Sequence, residues 1–141
     1  MSDFDKGNFE MRTTKAFTLI ELMVVILIVG ILAAASVPLM RGRVDSAKWS
    51  EANATAGAIR AAVRVRYAEV GSAPTGKLDV DATQAALGFK AGDLAGTYFV
   101  AGDYSIGDAD TGGNAAITVK GSAANAPTGS KTLSQDGKTW Q

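Results

Sequence analysis

Apolar residues crowd into the first third of the chain. From Leu22 to Met40, nineteen consecutive positions carry no charge, and extending the run back to Phe17 adds one acid, Glu21. A helix over residues 17–40 rises about 36 Å, enough to cross a hydrocarbon layer about 30 Å thick. Those residues are therefore expected to form a membrane-spanning helix. Beyond it the pattern changes rather than stops. Trp49, Ala52, Ala56, Ile59, Val63 and Val70 share one helical face, with Glu51, Arg60 and Arg64 off it. That spacing predicts an amphipathic continuation of the same helix over 41–71, whose Ala-rich stripe suits close approach of a sheet. Pro38 has no N–H to offer the carbonyl of Ala34, so a kink or local melt is expected there.

Gly71 closes the helix, and Pro74 and Gly76 mark a turn. Asp81, with Gln84 three residues on, reads as a capping box opening a short helix, Ala82 to Leu87, which Gly88 stops. After Gly96 short strands follow. Thr97–Val100 and Tyr104–Ile106 are expected to pair, Ala116–Lys120 alternates Ile117 and Val119, and Lys131–Ser134 and Lys138–Trp140 flank an Asp136-Gly137 turn. Residues 72–141 thus predict a globular region with a short helix and an antiparallel sheet of three or four strands. The fold class is α+β: a long N-terminal helix, hydrophobic in its first half, laid by its second half on a small C-terminal sheet.

Composition and charge narrow the function. Among 141 residues, 14 Lys and Arg balance 14 Asp and Glu, so no concentrated basic face points to nucleic acid. The chain has no Cys and no His, which removes disulfides, thiolate chemistry and the commonest general base and metal ligand. No Ser or Thr has a His or Lys–Asp arrangement to activate it. The reading is not an enzyme.

No small-residue cleavage pattern closes the apolar run, so the span is expected to be retained rather than removed as a secretory signal. Arg12 and Lys15 before it favour a cytoplasmic N-terminus, and Arg41 and Arg43 beyond it pull the other way. Residues 1–10 are polar and aperiodic, and Met11 is an alternative start.

Glu21 breaks the pattern. An ionised carboxylate in hydrocarbon costs at least a few kcal/mol, so it needs a partner, water or a proton. No Lys or Arg lies one turn beyond it, and Lys15 falls on a different face. Its surroundings, KAFTLIELMVVILIVGILAAASVP, closely resemble the N-terminus of type IV pilins and of the pseudopilins of type II secretion. The resemblance covers Lys15 to Arg41 and implies a pilin-like fold. It also implies that a prepilin peptidase removes residues 1–16, cutting between Ala16 and Phe17 and N-methylating Phe17. Thr18 and Glu21 match the family's opening residues, and Gly30 and Pro38 fall where the family has a Gly and a Pro. Ala16 stands where the family usually has Gly.

From the resemblance follow further expectations. Glu21 pairs with the new amine of a neighbouring copy, and the stretch between Gly30 and Pro38 can unwind in the filament. The partners are identical subunits, the peptidase, an assembly ATPase, an inner-membrane platform protein and, before assembly, lipid. The precursor sits in a bacterial inner membrane with its globular part outside the cytoplasm, then enters a pilus or pseudopilus. The rivals are a major pseudopilin of type II secretion and, from another class, a monomeric membrane-anchored binding protein with an uncleaved N-terminus.

One weaker cluster remains. Asp108, Asp110 and Asn114 supply oxygens in a Gly-rich loop, as a calcium site would, and some major pseudopilins carry one in this region. The spacing departs from an EF-hand, with Gly112 and Val119 at ligand positions. Asp, Asn and Gly are also ordinary turn residues, and the turn is the preferred reading. No cofactor is otherwise expected.

Overall fold

The computed structural model describes residues 16–141, and the expected leader up to Lys15, with Arg12 and Met11, lies outside the described residues. Helix α1 runs Leu19–Val70 with Pro38 inside it. The local melt expected near Ala34 is absent, since the helix is continuous there. Two compact units divide the chain, one ending at Leu39 and the other spanning Met40–Gln141.

In the first unit, every described residue is exposed. The segment carries a mean hydropathy of 2.8 over its most apolar stretch, and it is the one described helix long and apolar enough to cross a membrane.

The second unit has its own core. Along the amphipathic part of α1, Trp49, Ala52, Ala56, Ile59 and Val63 are buried, as the stripe predicts. Val70 is 53 % exposed, a departure from it: no residue of the helix beyond Val63 is fully buried, and the chain leaves the helix at Gly71, whose φ of 73° suits a residue without a side chain. A short helix α2, Asp81–Ala86, follows. Asp81 is its first residue rather than its cap, because Val80 occupies the cap position and makes no side-chain cap bond. Gln84 is buried and donates its amide to the Leu78 carbonyl at 2.8 Å, tying α2 to the preceding strand.

The sheet contains β1 (Gly76–Lys77), β2 (Tyr104–Ile106), β3 (Ile117–Lys120) and β4 (Ser130–Leu133), in that spatial order. All neighbours are antiparallel, with Tyr104 opposite Val119 and Ile117 opposite Leu133. Tyr104, Ile106, Ile117, Val119 and Leu133 point into the core, while Thr118 and Thr132 share a hydroxyl contact of 3.1 Å on the outer face. That alternation is what a sheet with one wet face requires. Phe99 lies 5.3 Å from the Trp49 ring and 6.4 Å from Tyr104, so three aromatics link helix, loop and sheet.

Two expected strands come out differently. Thr97–Val100 is a loop, and a short 3-10 turn, Ala101–Asp103, leads into β2. Lys138–Trp140 contributes a single bridge, Leu133 to Trp140, extended by the mutual bonds of Thr132 and Gln141. Gly76–Lys77, expected as a turn, is the edge strand instead.

Candidate functional site

The N-terminal end of α1 organises the first candidate residues. Leu22 donates its N–H to the Thr18 carbonyl at 3.2 Å, so Thr18 is the N-cap and Glu21 the third helical residue. The Glu21 N–H points at Thr18 Oγ1 at 3.3 Å, and that hydroxyl donates to Glu21 Oε2 at 3.4 Å. The contacts are long, but their pattern is that of a helix start in which a carboxylate faces unpaired backbone N–H groups and the positive end of the helix dipole. Among the described residues Glu21 has no ion-pair partner. The carboxylate is thus held at the helix end while its charge stays unanswered.

Phe17 is 81 % exposed, and the apolar side chains that follow, Leu19 through Met40, lie open to their surroundings. A continuous apolar surface of this extent exceeds what a soluble monomer leaves in water. It needs lipid or another apolar helix. Besides Glu21, the polar side chain on it is satisfied within the helix: Ser36 gives its hydroxyl hydrogen to the Leu32 carbonyl at 2.8 Å.

A Cβ added at Gly30 would meet nothing within 4 Å, as at Gly42 and Gly57. Gly in a helix interior costs up to about 1 kcal/mol relative to Ala. Nothing in the chain's own packing explains that cost at Gly30. Pro38 leaves the Ala34 carbonyl without its usual donor.

The loop cluster lies in the second unit. Asp110 Oδ1 accepts the N–H groups of Gly112 at 2.9 Å and Asn114 at 2.8 Å, and the Asn114 side-chain amide reaches both Asp110 oxygens. These bonds from Asn114, reinforced by Gly112 and Arg60, hold the Asp110 carboxyl below its ordinary value of 3.8. The structure brings Asp110 and Asn114 together, whereas Asp108 contributes a backbone carbonyl to Gln135 Nε2 at 3.2 Å. The described residues contain no group of three or more metal-binding side chains. Both Asp110 oxygens are engaged in closing the turn.

Two polar residues set off the stripe by sequence have structural work. Glu51 Oε1 accepts the N–H groups of Tyr98 at 2.9 Å and Phe99 at 3.3 Å, which draws loop 97–100 onto α1 and explains why it is no strand. Gly96 lies so close that a Cβ there would fall 2.2 Å from the same oxygen. Arg60 donates Nε to the Gln135 carbonyl at 2.8 Å and its guanidinium to Asn114 Oδ1 at 3.3 Å, joining both C-terminal loops to the helix. In the last turn Asp136 accepts from Ser134 and from the Lys138 N–H, which lowers its pKa, the Ser134 bond first. No sequence period marks Glu51 or Arg60. Their positions on the flanks of a buried stripe are the one available signal.

Comparison with known proteins fits the N-terminal geometry. Residues 11–37 match the prokaryotic N-terminal methylation motif. The chain is 43 % identical over 61 residues to the type IV narrow pilus major component PilA5 of Thermus thermophilus, covering 43 % of this chain and 53 % of that protein. It is 44 % identical over 63 residues to the fimbrial protein EcpC of Eikenella corrodens, covering 45 % of this chain and 41 % of that one. The matches therefore span about half the length of these relatives. No solved structure matches significantly. The chain thus carries the prokaryotic N-terminal methylation motif over residues 11–37, and over about 60 residues it is similar to a type IV pilus component and a fimbrial protein.

Proposed function

We propose that the protein is a structural subunit that is cut between Ala16 and Phe17, N-methylated at Phe17 and polymerised into a type IV pilus-like filament. One observation carries the reading: an exposed apolar segment of α1 holding an acid, Glu21, that no cation in its own described chain answers. Before assembly, lipid covers the apolar surface. In the filament, other copies cover it, and the Phe17 amine of one copy answers Glu21 of the next. Two opposite charges in an apolar medium are tolerable together and costly apart, so mispairing is penalised more than correct pairing is rewarded. Register is the product.

Thr18 serves the step by holding Glu21 at the helix end, near where an amine would arrive. Gly30 allows close helix approach, and Pro38 supplies a weak point at which α1 can adjust. The prepilin peptidase, an assembly ATPase and an inner-membrane platform are the machinery this scheme requires. The names of the relatives, a narrow-pilus component and a fimbrial protein, favour a pilus over a secretion pseudopilus. The role is mechanical, without catalysis.

The intact mass of the membrane-extracted protein tests the scheme. The expected species begins at Phe17 and carries one additional methyl group. A species that keeps Lys15 and Ala16 ahead of an unmodified Phe17 overturns it and favours a monomeric anchored protein.

A further inference from the structure

The second unit carries a cleft that the filament scheme does not use, floored by the core residue Trp49, 9 % exposed, and by the half-buried Trp140. Its volume is about 230 Å³, and Ser46, Trp49, Ser50, Asn53, Lys131 and Trp140 line it. That is smaller than the pockets that enclose drug-sized ligands and suits a single six-membered ring. The two indoles meet edge to face, 6.0 Å apart at 66°. Lys131 Nζ sits 5.9 Å from the centroid of each. Between the rings and the cation, the cleft has an apolar floor and a positive rim.

The polar groups keep hydrogen-bonding capacity that the fold does not consume. The sole ion pair among the described residues joins Lys48 to Asp45, so Lys131 has no carboxylate partner there. Asn53 is exposed, and its side-chain amide makes no hydrogen bond within the described chain. Ser46 and Ser50 donate their hydroxyl hydrogens to the Gly42 and Ser46 carbonyls at 3.0 and 3.1 Å. Each hydroxyl oxygen keeps lone pairs for an incoming donor.

We infer that this cleft binds an acidic sugar unit, a pyranose bearing a carboxylate. The C–H face of the ring lies on indole, its carboxylate meets the Lys131 ammonium, and its hydroxyls bond the Asn53 amide and the serine oxygens. A purely apolar ligand would strand an amide and an ammonium, and a cation would find no acid in the lining. A bare inorganic anion would leave both indoles unused. The combination of aromatic floor, neutral amide and single cation selects an acidic saccharide. This site is independent of the filament scheme, because it needs one folded chain.

The chain has two tryptophans, and both line the cleft, so tryptophan emission excited at about 295 nm, where tyrosine does not absorb, responds to its occupant. Full-length protein in detergent is titrated with sodium glucuronate, glucose and sodium acetate at matched ionic strength. Glucuronate is expected to change the emission saturably, with a Kd on the order of millimolar, glucose to bind about tenfold more weakly, and acetate to give no saturation. Lys131→Met should reduce glucuronate to the glucose level, Lys131→Arg should restore it, and each variant should keep its melting temperature. Asn53→Asp, at an exposed helix position, should cost glucuronate its advantage even if Lys131→Met fails to fold. The inference is overturned if glucuronate and acetate act alike, or if well-folded Lys131→Met binds glucuronate as before. It is equally overturned if polymerised filaments lose the response while their tryptophan emission shifts, for then the cleft is a contact between subunits. Failure of N-terminal processing leaves the titrations of the dispersed chain unaffected.

Discussion

Between Leu19 and Leu39 every side chain of α1 is exposed, whereas between Trp49 and Val63 five apolar side chains of the same helix are at most 9 % exposed. Backbone geometry does not distinguish these stretches. What differs is where each finds its apolar partner. The later stretch carries its partner in the same chain, in the form of β2, β3, β4 and Phe99, and so needs only one apolar face. The earlier stretch is apolar all round because its surroundings must be supplied from outside. The comparison teaches that hydrophobicity without amphipathicity is a statement about environment, and amphipathicity is a statement about fold.

Breaking the two regions separately should give opposite phenotypes. The largest effect is expected from Glu21→Ala. It should leave membrane insertion and the thermal melt of the second unit unchanged while filament yield, counted by electron microscopy of sheared material, collapses. Normal yield would remove Glu21 from assembly. Next comes Ile59→Ala, which opens a cavity in a fully buried site and should cost about 2–5 kcal/mol in denaturant melts, with insertion unaffected.

Glu51→Ala strands the N–H groups of Tyr98 and Phe99 and should cost about 1–3 kcal/mol, with increased proteolysis near residues 96–100. Arg60→Met, which loses two bonds at a partly wet site, should cost about 1 kcal/mol. The smallest effect is pH-dependent. Asp110 and Asp136 have lowered pKa values when folded, so their contribution is fully present above the ordinary 3.8 and fades as pH falls through the folded values. Asp110→Asn should flatten the decline in melting temperature below about pH 4, with Arg60 as the facing cation. Calcium should leave that temperature unchanged, and a rise would reassign Asp110 and Asn114 as ligands.

The long-range plan was legible because it rests on periodicity. The apolar span, the stripe from Trp49 to Val63, the short helix after Asp81 and the strands around Ile106, Ile117 and Leu133 each follow from spacing and breakers. The details that escaped rest on contacts between residues far apart in sequence. Thr97–Val100 has strand composition, but Glu51 takes two of its N–H groups before a neighbouring strand can. Gly76–Lys77 has no strand pattern at all and pairs only because β2 presents an open edge. At the candidate assembly site, the odd acid was visible as a violation, and its cap by Thr18 needed coordinates. The clamps by Glu51 and Arg60 have no linear signature.

The strand order also bears on how the polypeptide reaches this state. Neighbours in the sheet follow the order of synthesis, β1 to β4, with no crossover. As the C-terminal residues are synthesised, the stripe of α1 is already available as a template, and each new strand meets its predecessor in place. Nothing synthesised late must be threaded between elements formed early, so folding can keep pace with synthesis, and slow long-range searches are avoided.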